Sequence, residues 1–68
     1  MKEVELKGEY ITLGQLLKLL GAAGTGGDVK RFLEETAIVV NGATENRRGR
    51  KLRKGDAVSW DGEEVRIV

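Results

Sequence analysis

The spacing of the apolar residues changes midway along this chain, and this change constrains the fold more than any other feature. A stripe of leucines between residues 13 and 20 recurs at helical spacing, which predicts an amphipathic helix. After residue 36 the apolar residues form short β-branched runs instead, and Asn41-Gly42 and Asp61-Gly62 are typical of tight hairpin turns. The sequence therefore predicts helices first and antiparallel strands afterwards.

Capping signals delimit two helices in the first half. Thr12 and Gln15 have the T-x-x-Q spacing of a capping box, so the first helix is expected to begin at Thr12. Gly21 fits its C-terminal cap, because glycine adopts the left-handed conformation at little cost. Thr25 precedes an acidic residue by three positions and predicts the start of a second helix, which should end near residue 35.

Four segments have the composition of strands. Glu3 to Lys7 alternates with period two, and Ile38 to Val40, Ala57 to Trp60 and Glu63 to Val68 lie beside turn signals. The predicted fold class is α+β, with a two-helix hairpin packed on a small antiparallel sheet. The element order is β-α-α-β-loop-β-β, in a single domain over residues 1–68.

Size and composition exclude several classes of function. A chain of 68 residues buries a small core and leaves no room for a deep cleft, so function is expected on the surface. The chain has no cysteine and no histidine, which removes thiolate metal sites and the commonest general base. We therefore expect no catalytic residue, no metal site, no cofactor and no small-molecule substrate. No apolar run approaches the length of a membrane span, so we expect a cytoplasmic protein without a membrane partner.

The net charge of +1 conceals one strongly basic segment. Six cations and no acid lie between Arg47 and Lys54, and we call residues 46–54 the basic loop. Clustered cations suit a phosphate backbone, because binding releases condensed counterions. Four of the six are arginine, which binds phosphate in bidentate fashion and stacks on bases. The alternative is a solvated charged loop, but charge of one sign between two turn signals favours a surface presented to an anion.

The glycine-rich segment over residues 21–27 has three open interpretations. A helix cap with a tight turn is favoured. A G-x-x-G clamp of the KH RNA-binding fold would match the spacing of Gly21 and Gly24, but the alanines between them carry no charge. The amides of the second helix could also accept a phosphate, although Asp28 would compete for them.

Two further features extend or limit a nucleic-acid surface. Lys30 and Arg31 could continue the basic surface along the second helix, pair with Glu34 and Glu35 at i,i+4, or do both. Trp60 and Phe32, by contrast, are expected in the core rather than stacked on bases.

The later motifs resemble a known RNA-binding family. A strand ending Val39-Val40-Asn41-Gly42, then a basic loop, then Leu52-x-x-Gly55-Asp56-x-Val58 resembles the domain named for ribosomal protein S4. Residues 11–15, 25–27 and 46–52 more closely resemble the stand-alone bacterial proteins of the YaaA type. The resemblance runs from about Tyr10 onwards.

The resemblance implies that the ligand is structured RNA, with ribosomal RNA and large-subunit assembly as expectations. We also expect the protein to be a monomer. The resemblance places the RNA-contacting residues on the second helix and on the segment after the Val39-Val40 strand, which includes the basic loop: Thr25, Gly27, Lys30, Arg31, Asn41, Asn46, Arg47, Arg48, Arg50 and Lys51. Many family members carry Ser and Arg where this chain has Gly26 and Gly27, which moves more of the binding onto the loop. Arg53 and Lys54 are expected to give electrostatic support.

Two other partners remain open for the basic loop. It could bind an acidic protein, which would make the chain a protein-docking module. More weakly, it could bind anionic lipid.

Overall fold

The computed structural model describes residues 2–24 and 26–68 and has the predicted α+β architecture. Two helices pack on a small sheet, so the predicted fold class is confirmed. Neither helix is long and apolar enough to span a membrane. In chain order the elements are β1 (Lys2–Val4), β2 (Ile11–Thr12), α1 (Leu13–Leu19), α2 (Gly26–Glu35), β3 (Val39–Val40), β4 (Ala43–Thr44), β5 (Lys51–Leu52), β6 (Ala57–Trp60) and β7 (Glu63–Ile67).

The main sheet has five strands in the order β1-β7-β6-β3-β4. Three of its strand pairs are antiparallel, as predicted, but β1 runs parallel to β7. The sheet is therefore mixed, which corrects the expectation of a purely antiparallel one. Because both helices lie between β1 and β7 in the chain, the connection is long enough for the crossover that a parallel pair requires.

A second ladder joins β2 to β5 and was not predicted. Ile11 pairs with Leu52, and Thr12 pairs with Lys51, in antiparallel register. Strands of two residues are too short to show an alternating pattern. This ladder ties the start of α1 to the end of the basic loop.

Both predicted hairpin turns are present. Asn41 and Gly42 have φ values of 51° and 86°, and Asp61 and Gly62 have values of 45° and 80°. Two successive positive φ angles are the requirement of the type I′ turn, whose twist matches that of the flanking strands. The turns connect β3 to β4 and β6 to β7.

The predicted caps of α1 are confirmed. The backbone N–H of Gln15 donates to the Thr12 hydroxyl at 3.3 Å. The backbone N–H of Thr12 donates to Oε1 of the Gln15 side chain at 2.9 Å. At the C-terminal end of α1 the N–H of Gly21, whose φ is 76°, donates to Lys18 O. The N–H of Ala22 donates to Leu17 O. This Schellman motif supports the interpretation of Gly21 as a cap. The start signal at Thr25 lies outside the described residues.

The core lies between the helix pair and the sheet. The helical stripes supply Leu13, Leu16, Leu17, Val29 and Leu33, all buried, and the sheet contributes mostly β-branched residues. The rings of Phe32 and Trp60 meet edge to face with their centroids 6.1 Å apart. Both are half-buried and pack at the margin of the core, close to their predicted place.

Candidate nucleic-acid interface

The basic loop is fixed to the N-terminus of α1 by backbone hydrogen bonds. Leu13 N–H donates to Arg50 O and Gly14 N–H donates to Arg48 O, each at 2.9 Å. The first amides of a helix have no partner within the helix, so these two bonds satisfy donors that would otherwise be orphaned. The loop backbone is thus held in place while the side chains of Arg47 and Arg48 are exposed.

Gly14 allows the loop to approach α1 closely. A Cβ at this position would lie 3.4 Å from both Cβ and O of Arg48, and 3.5 Å from Cγ1 of Val29. A methyl group would just make contact, whereas a longer side chain would push the loop or α2 away. The sequence alone gave no sign that Gly14 has this role.

Glu45 is a buried carboxylate at the base of the loop, with 9% of its surface exposed. Its side chain accepts hydrogen bonds from Nε and Nη2 of Arg47, both at 3.1 Å, and from Nη1 of Arg50 at 3.4 Å. The backbone amides of Asn46 and Arg47 donate to the same carboxylate at 3.1 and 3.2 Å. Five donors from three residues therefore converge on one side chain.

These contacts lower the pKa of Glu45 to about 2. The largest cause is the side-chain hydrogen bond from Arg47; burial acts in the opposite direction and is outweighed. Glu45 is therefore ionised at neutral pH and stabilises the arginines that it holds. Sequence reasoning missed this residue, although an acid two positions before Arg47 was the available signal.

The acids around the loop correct the expectation that its charge has no internal partner. Glu45 pairs with Arg47 and Arg50, and Asp56 accepts the Arg53 backbone N–H at 2.8 Å. That backbone hydrogen bond is the main cause that lowers the pKa of Asp56. The fold thus places two carboxylates beside six cations, so the loop remains basic but is partly balanced.

Five of the six cations of the loop line one of two open grooves. The first, of about 690 Å³, we call the arginine groove; it is lined by Arg47, Gly49, Arg50, Lys51, Arg53 and Asp56. The second, of about 610 Å³, we call the helix groove; it is lined by Lys30, Leu33, Glu34, Asn46 and Arg48. Residues of the basic loop thus contribute to the lining of both grooves.

The structure brings most of the predicted site residues together at these grooves. Arg47, Arg50 and Lys51 share the arginine groove, while Asn46 and Arg48 join Lys30 in the helix groove. The loop and α2 are thus neighbouring surfaces, as the sequence analysis expected. Arg53, assigned only a supporting role there, lines the arginine groove and joins the candidates.

Three other predicted residues line neither groove. Gly27 and Arg31 are exposed on α2 but line neither groove. The Asn41 side chain is used within the fold, since its Nδ2 donates to Asp56 and its Oδ1 accepts the Ala57 N–H. Thr25 lies outside the described residues. The RNA-contacting roles of all the predicted residues, those in the grooves included, stay predictions.

The i,i+4 ion pairs considered for α2 do not form in the described part of the chain. The salt bridges found there both involve Glu45. Lys30 and Arg31 are therefore not neutralised by Glu34 and Glu35 across the helix turn. This leaves the charge of Lys30 available to whatever occupies the helix groove.

Comparisons with known proteins show which family the chain belongs to. A family model described as the S4 domain matches residues 4–68. A Bacillus subtilis (strain 168) relative named "Probable ribosome maturation protein RlbA" is 48% identical over 59 residues, covering 87% of this chain and 83% of the relative. An Escherichia coli (strain K12) relative named "Putative RNA-binding protein YbcJ" is 36% identical over 62 residues, covering 91% and 89%. The resemblance seen in the sequence is confirmed: this chain belongs to the S4 domain family.

Proposed function

We propose that this protein is a non-catalytic RNA-binding protein that recognises structured RNA through the basic loop. Ribosomal RNA is the proposed ligand, and large-subunit assembly the proposed process. Membership of the S4 domain family and the names of the two relatives, one a ribosome maturation protein and one an RNA-binding protein, support this assignment. The observation that carries it is the arginine groove, in which four cations surround an open surface on a loop fixed to α1.

Glu45 holds the Arg47 side chain in place for phosphate binding but does not occupy all of its hydrogen-bond donors. A guanidinium has five N–H donors, and two of those of Arg47 go to Glu45. The others stay available, and 72% of the side chain is exposed. Because the side chain is already held, less rotamer freedom is lost on binding. The ion pair therefore orients the arginine toward a phosphate instead of neutralising it completely.

The two grooves suit the backbone of a folded RNA better than a single base. Cations in two separate grooves can contact phosphates of neighbouring strands, and double-stranded RNA is recognised mainly by shape and backbone contacts. The helix groove adds Lys30, Asn46 and Arg48 to this surface. We therefore expect recognition of RNA shape, with modest dependence on base sequence.

A double variant and a control that removes the same net charge test the proposal. Arg48→Ala/Arg53→Ala removes one cation from each groove, and neither side chain pairs with Glu45. Lys2→Glu lowers the net charge by the same two units on β1, and Lys2 is an exposed residue that lines neither groove. Fluorescence anisotropy with transcribed fragments of large-subunit ribosomal RNA gives the affinities.

We expect the loop variant to bind roughly tenfold more weakly than wild type, because each lost phosphate contact weakens binding at every sequence. The control variant should bind within about twofold of wild type, since distant exposed charges are screened. Equal losses in both variants would mean that overall charge, and not the basic loop, determines binding. Partners captured from a lysate that persist after RNase treatment would favour the protein-docking alternative.

A further inference from the structure

An exposed aromatic ring lies beside the arginine groove. Tyr10, the only tyrosine of the chain, directly precedes β2 and is 42% exposed. It is not among the described residues that form the core or pack against it, in contrast to Phe32 and Trp60, which also contact each other. An exposed large aromatic side chain on a small domain is therefore a candidate contact surface.

Lys51 connects this ring to the arginine groove. Its Nζ lies 4.8 Å from the centroid of the Tyr10 ring, a cation–π distance. The same lysine lines the arginine groove. The register of β2 against β5 holds the two side chains together, because Ile11 pairs with Leu52. A ligand whose phosphates occupy the arginine groove would thus extend directly to Tyr10.

A third groove begins at Tyr10, and its lining is mixed. It has a volume of about 480 Å³ and is lined by Val4, Glu5, Leu6, Lys7, Tyr10, Ile11, Gln15 and Leu19. The apolar residues suit the faces of a flat ring, and the polar ones suit its hydrogen-bonding edge. A nucleobase has both properties, and unstacked RNA bases commonly stack on aromatic side chains.

We propose that Tyr10 is a stacking platform for one unpaired nucleobase, whose neighbouring phosphates lie in the arginine groove. This inference rests on the proposed RNA-binding function and narrows its ligand to structured RNA with an unpaired nucleotide beside a helical segment. Continuity with the arginine groove through Lys51 favours a base over an apolar protein segment. Because every base has a π face, the platform selects an unpaired nucleotide and not a particular base.

Two RNA hairpins that differ at one position test the platform. One carries a single bulged adenosine, and the other carries an abasic residue at the same place, so their phosphates are equal in number. The single tyrosine gives one uniquely assigned set of ring signals in a protein labelled with ¹³C at tyrosine. We expect these signals to move upfield with the adenosine hairpin, through the ring current of the stacked base, and to stay in place with the abasic one.

Variants of Tyr10 give a second readout. Tyr10→Phe keeps the ring and should bind the adenosine hairpin within about twofold of wild type, whereas Tyr10→Leu should bind it roughly tenfold more weakly. Tyr10→Leu should bind the abasic hairpin as wild type does, and an unchanged unfolding midpoint shows that the fold is intact.

Ring signals that do not move, or equal affinities of Tyr10→Leu and wild type for the adenosine hairpin, would overturn the platform. If both hairpins nevertheless bind with a strong salt dependence, the proposed RNA-binding function stands and only the Tyr10 platform fails. If the Arg48→Ala/Arg53→Ala variant binds both hairpins as tightly as wild type, the RNA-binding function of the loop itself fails.

Discussion

At the scale of single residues, one buried carboxylate, Glu45, holds the side chains of two loop arginines, Arg47 and Arg50. The sequence identified Arg47, Arg48 and Arg50 as candidates because clustered charge is visible in one dimension. It did not identify Glu45, whose role depends on burial and on the return of the chain toward Arg50. Asn41 illustrates the same limit, because its amide completes hydrogen bonds to residues that follow it by 15 and 16 positions.

Replacing Glu45 with glutamine should destabilise the fold by about 1–3 kcal/mol, because hydrogen bonds to a charged group are lost and two arginines lose their partner. The free energy of unfolding in urea measures the effect. Glu9→Gln is the matched control, since Glu9 is an exposed acid outside the helices and strands. If both variants unfold at the same urea concentration, Glu45 does not organise the loop.

The contribution of Glu45 should also depend on pH with a definite sign. Its pKa in the folded protein, about 2, lies below the ordinary value of 4.5. The stabilisation is therefore fully present above the ordinary value and is lost as the pH falls toward the folded one. The difference in unfolding free energy between wild type and Glu45→Gln should shrink between about pH 5 and about pH 2. A difference that stays constant over this range would contradict the account; Asp56 remains in both proteins and cancels in the comparison.

At the scale of elements, the basic loop owes its position to α1. The helix was predicted with both of its caps, because the capping box and Gly21 are local signals. The β2–β5 ladder and the parallel β1 were not predicted, because they depend on pairing between distant segments with no turn to set the register. The close approach at Gly14 depends in the same way on residues 34 positions further along the chain.

A larger side chain at Gly14 should separate the loop from α1. We expect Gly14→Leu to lower the free energy of unfolding by about 1–3 kcal/mol through overpacking against Arg48 and Val29. Gly49→Leu is the matched control, because a Cβ there meets no atom within 4 Å. Thermal and urea unfolding of the two variants give the comparison. Equal stability of the two would show that the contact at Gly14 is not tight.

At the scale of the whole molecule, the apolar core and the main cluster of positive charge lie in different parts of the domain. The core lies between the helices and the sheet, and the cations gather on one loop beside α2. The sheet ends in short strands, β1 of three residues and β4 of two, which offer little edge for pairing with another copy. The monomeric state stays a prediction.

The salt dependence of RNA binding tests the central claim most directly. With three to five phosphates contacted, log K should fall against log salt with a slope of about −2 to −4 in wild type. The slope should be shallower by about two in Arg48→Ala/Arg53→Ala and unchanged in Lys2→Glu. Two results would contradict the claim that the basic loop binds the RNA backbone. One is an affinity for ribosomal RNA fragments that does not change with salt concentration, and the other is the same salt slope in all three proteins.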